Sequence, residues 1–185
     1  GGVAAVVGHR GDPYQARENT LASFRSAIAA GADAVELDVR TTRDGVPVVL
    51  HDPTLRRLWG YDRPVADLTA RQVAEATGGW VPTLAEALAV TGQVRTLIDL
   101  PEPSPATARA AVAAVRRAGA DGRVYYCGDA GALRAVRAAE ESAEIALTWK
   151  RACRPRASLL AELRPRWLNY RFGLVDDETM VRARA

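Results

Sequence analysis

The sequence predicts an α/β fold of the TIM (β/α)8-type barrel, with seven strands in a chain of 185 residues. Short apolar runs rich in Val, Ile and Leu alternate with alanine-rich helical runs, a rhythm typical of βαβ units and a parallel sheet. Most candidate functional side chains also follow strands at their C-terminal ends, where parallel barrels place their active sites. The length is short for this fold, since such barrels usually need about 250 residues.

Each strand candidate is apolar on both faces, as expected for strands that are covered on both sides of a sheet. The seven candidates are Val3–Gly8, Ala34–Val39, Val46–Leu50, Arg95–Leu100, Arg123–Cys127, Ile145–Trp149 and Arg166–Tyr170. Helical periodicity and good helix formers predict helices between them. These are Thr20–Ala30, Thr83–Thr91, Pro105–Ala118, Ala130–Glu140 and Arg156–Leu163, with a last helix beginning near Asp176 and still running at Ala185.

Local signals at the helix ends agree with these bounds. Gly31 and Gly119 follow two of the helices, at positions that often need a positive φ. Either Asn19 or Thr20 is placed to cap the first helix, and Thr83 stands three residues before Glu86, the spacing of a capping box. The alternation of strands and helices is therefore supported by the residues between them.

One long connection, residues 52–82, carries little predicted secondary structure apart from a short helix within Asp67–Ala76. Connections of this length inside a compact domain usually form lids or binding loops, so we expect a lid or rim loop here. Trp59, Tyr61 and Trp80 either line a substrate cleft or pack this loop onto the barrel rim. No linker or low-complexity segment interrupts the chain, which predicts a single domain over residues 1–185.

Composition and charge narrow the range of partners. The net charge is +3 and Lys150 is the only lysine, but no block of five or six like charges indicates nucleic-acid binding. No run approaches the roughly 18 apolar residues of a membrane span. The N-terminus lacks a basic region and a cleavage site, so a cytoplasmic location is expected.

Two cysteines, Cys127 and Cys153, are too few for a metal finger and are expected to be buried thiols.

Polar residues that can carry chemistry follow the first four predicted strands. They are His9 and Arg10 after the first strand, Glu36 and Asp38 on the second, His51 and Asp52 after the third, and Asp99 on the fourth. The C-terminal ends of parallel strands meet at one mouth of a barrel, so we expect these side chains to lie together.

The residue types in this set suit phosphodiester cleavage. Glu36 and Asp38 are two residues apart and point to the same side of their strand. Three carboxylates at one place repel unless a cation neutralises them, and oxygen ligands favour Mg²⁺ or Ca²⁺. Two histidines supply an acid and a base near neutral pH, and an arginine binds a phosphate oxygen.

Five motifs occur in one order along the first half of the chain. They are His9-Arg10-Gly11, ENTLASF at 18–24, GADAVELDV at 31–39, TRDGVPVVLHD at 42–52 and VPTLAEAL at 81–88. In these motifs the sequence resembles the glycerophosphodiester phosphodiesterase family, which is of the phosphatidylinositol-phosphodiesterase-like TIM-barrel type. The second half matches only in its rhythm of strands and helices.

The resemblance implies hydrolysis of glycerophosphodiesters to glycerol 3-phosphate and an alcohol, an activity of glycerol and lipid metabolism. It implies that His9 and His51 are the acid/base pair and that Arg10 contacts the phosphate. It also implies that Glu36 and Asp38 bind a divalent metal ion. In the family, a neighbouring glycerol hydroxyl attacks phosphorus and water then opens the cyclic phosphate.

Two departures from the family are visible in the sequence. The family usually carries Glu-x-Lys at the end of the fourth strand, where this chain has Asp99-Leu100-Pro101. We expect Asp99 to be the third metal ligand, with a helix-capping role as the alternative, and Lys150 to replace the lost lysine on the phosphate, with Arg171 as a second candidate. The family's last strand is also absent, so a C-terminal piece of about 30–60 residues or a partner chain is expected to close the barrel.

Several alternatives remain open at this stage. Glu18 either supports the first helix through its dipole or lies near the active site, and Asp52 orients a histidine, binds water or starts a turn. The expected partner is a small-molecule phosphodiester, with membrane contact only if that substrate is a lipid. The alternative functions are a degenerate, non-catalytic barrel that binds phosphodiesters or a protein, and a related phospholipase that acts on lysophospholipids.

Overall fold

A computed structural model describes residues 6–149, 157–172 and 177–182 of the chain. The main sheet contains β1 Val7–His9, β2 Ala34–Thr41, β3 Pro47–Val49, β6 Arg95–Leu100, β7 Val124–Gly128, β8 Glu144–Trp149, β9 Trp167–Phe172 and β10 Asp177–Arg182. A small second sheet pairs β4 Thr54–Leu55 with β5 Tyr61–Pro64. The helices are α1 Leu21–Ala29, α2 Arg56–Trp59, α3 Ala70–Thr77, α4 Leu84–Val90, α5 Pro105–Arg117, α6 Ala130–Ala139 and α7 Ala157–Leu163, with a 3₁₀ turn at Val65–Asp67.

The main sheet runs in the order β1-β2-β6-β7-β8-β9-β10, and β3 pairs with β2. All pairs from β1 to β9 along this order are parallel, and helices connect the neighbouring strands. All seven predicted strands are present and the predicted α/β barrel class is confirmed. Within the described residues the barrel is not closed, because β1 and β10 lie at the two ends of the sheet.

The third predicted strand is present, but its predicted parallel direction was wrong. β3 runs antiparallel to β2, with Val39 opposite Val49. The turn at Asp44-Gly45 is the reason: Gly45 has φ 81°, and the Thr42 amide donates to the Val46 carbonyl at 3.0 Å. This turn closes a hairpin, so no crossover helix is needed between the two strands.

The predicted last helix was also wrong, because Asp177–Arg182 forms β10 antiparallel to β9. Its register places Thr179 opposite Tyr170, and the pairing extends over six residues of each strand. An edge strand presents unpaired backbone groups, and pairing with a second segment satisfies them. Tertiary pairing therefore overrides the local helical signal in this segment.

The core lies between β2 and the helices that cover it. Val35, Leu37 and Val39 are buried on the side of β2 opposite to its carboxylates, and Phe24 of α1 packs in the same cluster. The predicted helix signals are confirmed: the Thr20 side chain caps α1, and Thr83 and Glu86 form a capping box on α4. Gly31 and Gly119 have φ values of 90° and 62°.

Residues 52–82 contain more regular structure than predicted. The segment forms the β4–β5 hairpin, α2, the 3₁₀ turn and α3, and α3 matches the predicted short helix. Leu55, Val65, Leu68 and Val73 pack in a small apolar cluster that also includes side chains of β3 and its end. The segment was expected to be irregular because its strands and α2 are too short to show a period. They are held by this cluster instead.

Two further observations bear on the sequence predictions. Cys127 is buried in β7 as predicted, whereas Cys153 lies outside the described residues. Among the described helices, none has the length and apolar character required to cross a membrane.

Candidate active site

The end of β1 and the loop after it position two predicted site residues, His9 and Arg10. Arg10 and Gly11 both adopt positive φ, 55° and 84°. A Cβ on Gly11 would lie 2.2 Å from Ser23 Oγ, so only glycine fits against α1 at this point. The Ser23 hydroxyl donates to the Arg10 carbonyl at 2.8 Å and accepts from the Asp12 amide at 2.6 Å. The helix thus fixes the backbone that carries Arg10.

The three predicted metal ligands come together at the same end of the sheet. Glu36 and Asp38 are 5% and 2% exposed, and Asp99 is half-buried. The register places Glu36 beside His9 on β1, and Asp38 beside Asp99 on β6. One oxygen from each of the three carboxylates lies within 4.8 Å of the others. The sequence spacing of Glu36 and Asp38 predicts their shared face, and the strand register adds Asp99.

This carboxylate cluster is electrostatically unfavourable on its own. Burial raises the pKa of Glu36 well above its usual range, and the neighbouring carboxylates Asp38 and Asp99 raise it further. The buried Oε1 of Glu36 has no hydrogen-bond partner among the described residues. A divalent cation between the three carboxylates would relieve the repulsion and supply that partner, so these residues fit an oxygen-ligated Mg²⁺ or Ca²⁺.

Asn19 belongs to this cluster but was assigned only as a candidate helix cap from the sequence. It has φ 55° and is 2% exposed, and its Nδ2 donates to Asp38 Oδ2 at 3.0 Å. Arg10 Nε lies 3.5 Å from the same Asp38 oxygen. Both contacts hold one Asp38 oxygen, which fixes the orientation of the carboxylate. No local pattern distinguishes this Asn19 from an ordinary cap, since its partner Asp38 lies on β2, 19 residues away in the chain.

The two histidines stand at the ends of two strands, His9 as the last residue of β1 and His51 shortly after β3. His9 Nε2 is 3.5 Å from Glu36 Oε2, and more than half of the His9 side chain is exposed. His51 follows β3, and Leu50 before it donates its amide to the Asp38 carbonyl at 3.0 Å. His51 Nδ1 lies 2.8 Å from Asp52 Oδ1. An ionised carboxylate only accepts, so Nδ1 carries the proton and Nε2 of a neutral His51 keeps its lone pair.

Arg57 on α2 is a site residue that the sequence did not reveal. Its Nε donates to Asp52 Oδ2 at 2.8 Å, and its Nη1 donates to Glu18 Oε1 at 2.9 Å. The hydrogen bond from Arg57 lowers the pKa of Asp52 to about 2, with His51 contributing in the same direction. Burial raises the pKa of Glu18, but Arg57 and Arg10 outweigh it and leave the pKa lowered.

Glu18 lies between two arginines. Its Oε2 accepts from Arg10 Nη1 at 3.1 Å, and both of its oxygens accept from Arg57. Glu18 lies two residues before the Thr20 cap, outside the first turn of α1, which contains no acidic residue. Asp52 contacts His51, which matches its orienting alternative.

Lys150 and Arg171 are the residues predicted to replace the family's lysine. Lys150 lies outside the described residues, as does the side chain of Arg171. Arg40 is a cation that the sequence did not single out, and it stands on the Glu36–Asp38 face of β2. Its Nε donates to the His51 carbonyl at 2.9 Å, and its Nη1 pairs with Glu102 next to Pro101.

The sequence model of the glycerophosphoryl diester phosphodiesterase family matches residues 9–185. The chain belongs to this family. The match includes every candidate site residue described above, from His9 at the end of β1 onwards.

Individual members of the glycerophosphodiester phosphodiesterase family are also similar to this chain. The chain is 35% identical over 105 residues to a glycerophosphodiester phosphodiesterase of Caldanaerobacter subterraneus, and the match covers 51% of this chain and 43% of that protein. A crystal structure of the Thermotoga maritima glycerophosphodiester phosphodiesterase matches with 29% identity and a TM-score of 0.74, over 92% of this chain and 75% of that one. The Agrobacterium tumefaciens enzyme matches with 28% identity and a TM-score of 0.79, over 91% and 76%.

The hydrogen bonds from Arg57 predict how the Asp52 carboxylate contributes to the free energy of unfolding at different pH values. The folded pKa of about 2 lies below the ordinary value of 3.8, so the carboxylate stabilises the fold above about pH 4, and this contribution is lost as pH falls towards 2. We expect Asp52→Asn to lower the free energy of unfolding at pH 7 by about 1 kcal/mol, allowing for the half-exposed Arg57.

Urea unfolding at pH 7, 4 and 3 measures this effect, with the exposed Asp62→Asn as the control. The difference between the Asp52 variant and the parent protein narrows at the lowest pH. A difference that stays constant with pH would contradict the ionic origin of the contribution.

Proposed function

We propose that this chain hydrolyses glycerophosphodiesters to glycerol 3-phosphate and an alcohol, using a divalent metal ion and histidine acid/base catalysis. The observation that carries the proposal is the grouping of His9, Arg10 and the carboxylates Glu36, Asp38 and Asp99 at one end of a parallel sheet. Family membership supports the same activity, since the named relatives are glycerophosphodiester phosphodiesterases. The proposed partner is a small-molecule phosphodiester.

Arg10 is proposed to bind a non-bridging oxygen of the phosphate. Its guanidinium already contacts Glu18 and Asp38, which hold it at the mouth with only a fifth of the side chain exposed. A guanidinium held in advance stabilises charge that develops on phosphorus without reorganising during the reaction.

The two histidines are proposed to move the protons. In the neutral form of His51, Nε2 keeps its lone pair because Asp52 holds the Nδ1 proton, so this form is suited to accept the proton of the attacking hydroxyl. The second histidine, His9, stands with its Nε2 3.5 Å from Glu36 Oε2 and with more than half of its side chain exposed. His9 is proposed to donate a proton to the leaving alcohol oxygen, and both side chains are partly exposed to a substrate.

Glu36, Asp38 and Asp99 are proposed to hold the divalent metal ion. When bound, such an ion supplies positive charge next to the phosphate oxygens. Asp99 reaches the other two carboxylates although it is shorter than the family's glutamate. The cap of α5 is Ser104 and not Asp99, which is consistent with the proposed metal role. Lys150 remains a proposed phosphate contact.

The direct test is hydrolysis of glycerophosphocholine by the purified protein with Mg²⁺ or Ca²⁺, in parallel with an EDTA-treated sample. The expected products are glycerol 3-phosphate and choline, formed only with metal. Glycerol and phosphocholine would show cleavage of the wrong ester bond. Binding of glycerophosphocholine without turnover, in the presence of every common divalent ion, would instead support the non-catalytic barrel.

One observation favours lysophospholipids as a second substrate class. A largely apolar groove of about 360 Å³ lies beside the loop after β1, lined by Ala16, Arg17, Thr20, Ala22, Trp59 and Trp80. Arg17 stacks on Trp59 at 4.5 Å, so this tryptophan both packs the 52–82 segment and borders the groove. An acyl chain in the groove would raise kcat/KM for lysophosphatidylcholine above that for glycerophosphocholine. Equal or lower values would contradict this second class.

A further inference from the structure

Arg57 on the short helix α2 contacts two acidic side chains of the candidate site at once. Arg57 makes four hydrogen bonds to carboxylate oxygens, two with Asp52 and two with Glu18, at 2.8–3.0 Å. Asp52 in turn accepts from His51, and Glu18 accepts from Arg10. The five side chains form one continuous chain from the histidine after β3 to the arginine after β1.

The shape of the guanidinium explains why an arginine stands here. Its planar fork presents several N–H groups at fixed angles, so it can bind two carboxylates at once. A lysine carries a single compact charge on a flexible stem and cannot copy this double arrangement. Arg57 is about half exposed, yet it bridges Asp52 and Glu18, whose side chains are 21% and 11% exposed.

The position of α2 is itself held by contacts outside this chain of charges. Arg17 donates to the Leu58 carbonyl at 3.0 Å and stacks on Trp59, while Gly60 ends the helix in a left-handed conformation. Leu55, just before α2, is fully buried in the small apolar cluster. The 52–82 segment therefore presents Arg57 at a defined place above the mouth.

We propose that Arg57 is a positioning residue of this site, which fixes the tautomer of His51 through Asp52 and the orientation of Arg10 through Glu18. The inference rests on the proposed function for its catalytic consequence. Its structural part concerns His51 and does not require turnover. In this arrangement the 52–82 segment sets which imidazole nitrogen of neutral His51 carries the proton.

Nitrogen NMR of the imidazoles tests the structural part directly, because the chain contains only two histidines. Two-bond ¹H–¹⁵N spectra of the intact protein at pH 8 separate the Nδ1–H and Nε2–H tautomers, and a His9→Gln spectrum assigns the signals. We expect the Nδ1–H form of His51 in the parent protein and a mixture in Arg57→Gln. An unchanged His51 tautomer in Arg57→Gln would overturn the proposal.

Kinetics test the catalytic part, with Arg56→Gln as the matched control. Arg56 is the preceding residue on α2, carries the same charge and is exposed. We expect Arg57→Gln to lower kcat by about 10- to 100-fold, as misplacement of a catalytic group does, and to raise KM through Arg10. The control variant should stay within about twofold of the parent, within the usual range of a surface change.

Two further variants separate positioning from simple folding. Arg57→Lys retains the charge but is expected to restore less than a tenth of the lost kcat, because it cannot bridge both carboxylates. In an Asp52→Asn background, Arg57→Gln should cost less than threefold more in kcat, since the path to His51 is already broken. Full rescue by lysine, or fully multiplicative losses, would overturn the proposal.

Failure of the proposed function has a different signature. A parent protein without turnover, but with the Nδ1–H tautomer lost in Arg57→Gln, would contradict the activity and retain the positioning role. A parent protein with full turnover, and an Arg57→Gln variant equal to Arg56→Gln in both assays, would support the activity and contradict the positioning role.

Discussion

Replacing His51 by alanine is expected to lower kcat for glycerophosphocholine by about 10²–10⁴-fold, with a much smaller change in KM. General acid–base catalysis by a positioned side chain contributes about this factor. His51 is suited to the role of base, because its Nδ1 is held by Asp52 at 2.8 Å and its side chain is 41% exposed towards the mouth. Steady-state kinetics with saturating metal measure the loss.

The identity of the leaving alcohol distinguishes the two histidines. With glycerophosphocholine, His9→Ala should also lose about 10²-fold or more, because the alkoxide leaves without a proton. With the p-nitrophenyl diester of glycerol 3-phosphate, whose leaving group is far more acidic, most of the His9→Ala loss should disappear. The loss in His51→Ala should remain for both substrates.

Folding and metal binding must be unchanged for these losses to be interpreted. Both histidine side chains are more than a third exposed, so their removal leaves no large cavity in the core. Thermal unfolding of each variant should match that of the parent protein within a few degrees. Activity retained within about tenfold in His51→Ala would contradict its role as base. The same loss in both variants with both substrates would contradict the division of roles.

Mg²⁺ or Ca²⁺ is expected to raise the unfolding temperature of the metal-free protein by about 5–10 °C when its concentration is about 100 times Kd. Binding to the folded state alone gives about 2.7 kcal/mol at that ratio, and a domain of this size shifts by about 2–4 °C per kcal/mol. The physical source is the relief of repulsion among Glu36, Asp38 and Asp99.

Glu36→Gln tests whether this cluster is the metal site. Glutamine keeps an oxygen that can accept from the Arg10 amide, as Glu36 does at 3.1 Å, but it removes the buried charge. The metal-free variant should be at least as stable as the parent protein, because the unfavourable carboxylate is gone. Metal should then give little or no increase in unfolding temperature, and turnover should fall with it.

Glu75→Gln provides the matched control for this experiment. Glu75 is an exposed acid on α3 that pairs only with Arg71 among the contacts of the described residues, far from the β2 carboxylates in sequence. Its substitution should leave the metal-dependent stabilisation intact. A stabilisation by metal that survives Glu36→Gln would place the ion elsewhere.

The face of β2 was predictable because a strand repeats every two residues. Glu36 and Asp38 had to share a side, and Val35, Leu37 and Val39 had to share the other, whichever strands lay next to β2. The burial of the three aliphatic residues agrees with this. Helix caps were predictable for a similar reason, since the hydrogen bonds of Thr20 and Thr83 reach only to neighbouring residues.

The direction of β3 and the fate of residues 177–182 were not predictable in the same way. Asp44-Gly45 indicates a turn, but only the hairpin hydrogen bonds between Thr42 and Val46 make β3 antiparallel. The last segment carries residues compatible with a helix, and its pairing with β9 decides for a strand. In both cases the competing structures differ in which backbone groups are paired between strands, and local propensity does not measure this difference.

Local period and short motifs were sufficient to predict the α/β class, the alternation of strands and helices, and the residue types at the candidate site. The contacts that support the site could not be predicted in this way. Asn19 reaches Asp38, Arg40 reaches His51, and Arg57 joins Asp52 to Glu18 across 39 residues of chain. Such contacts form where separate segments meet, and the positions of those segments follow from the packing of the whole sheet and its apolar clusters.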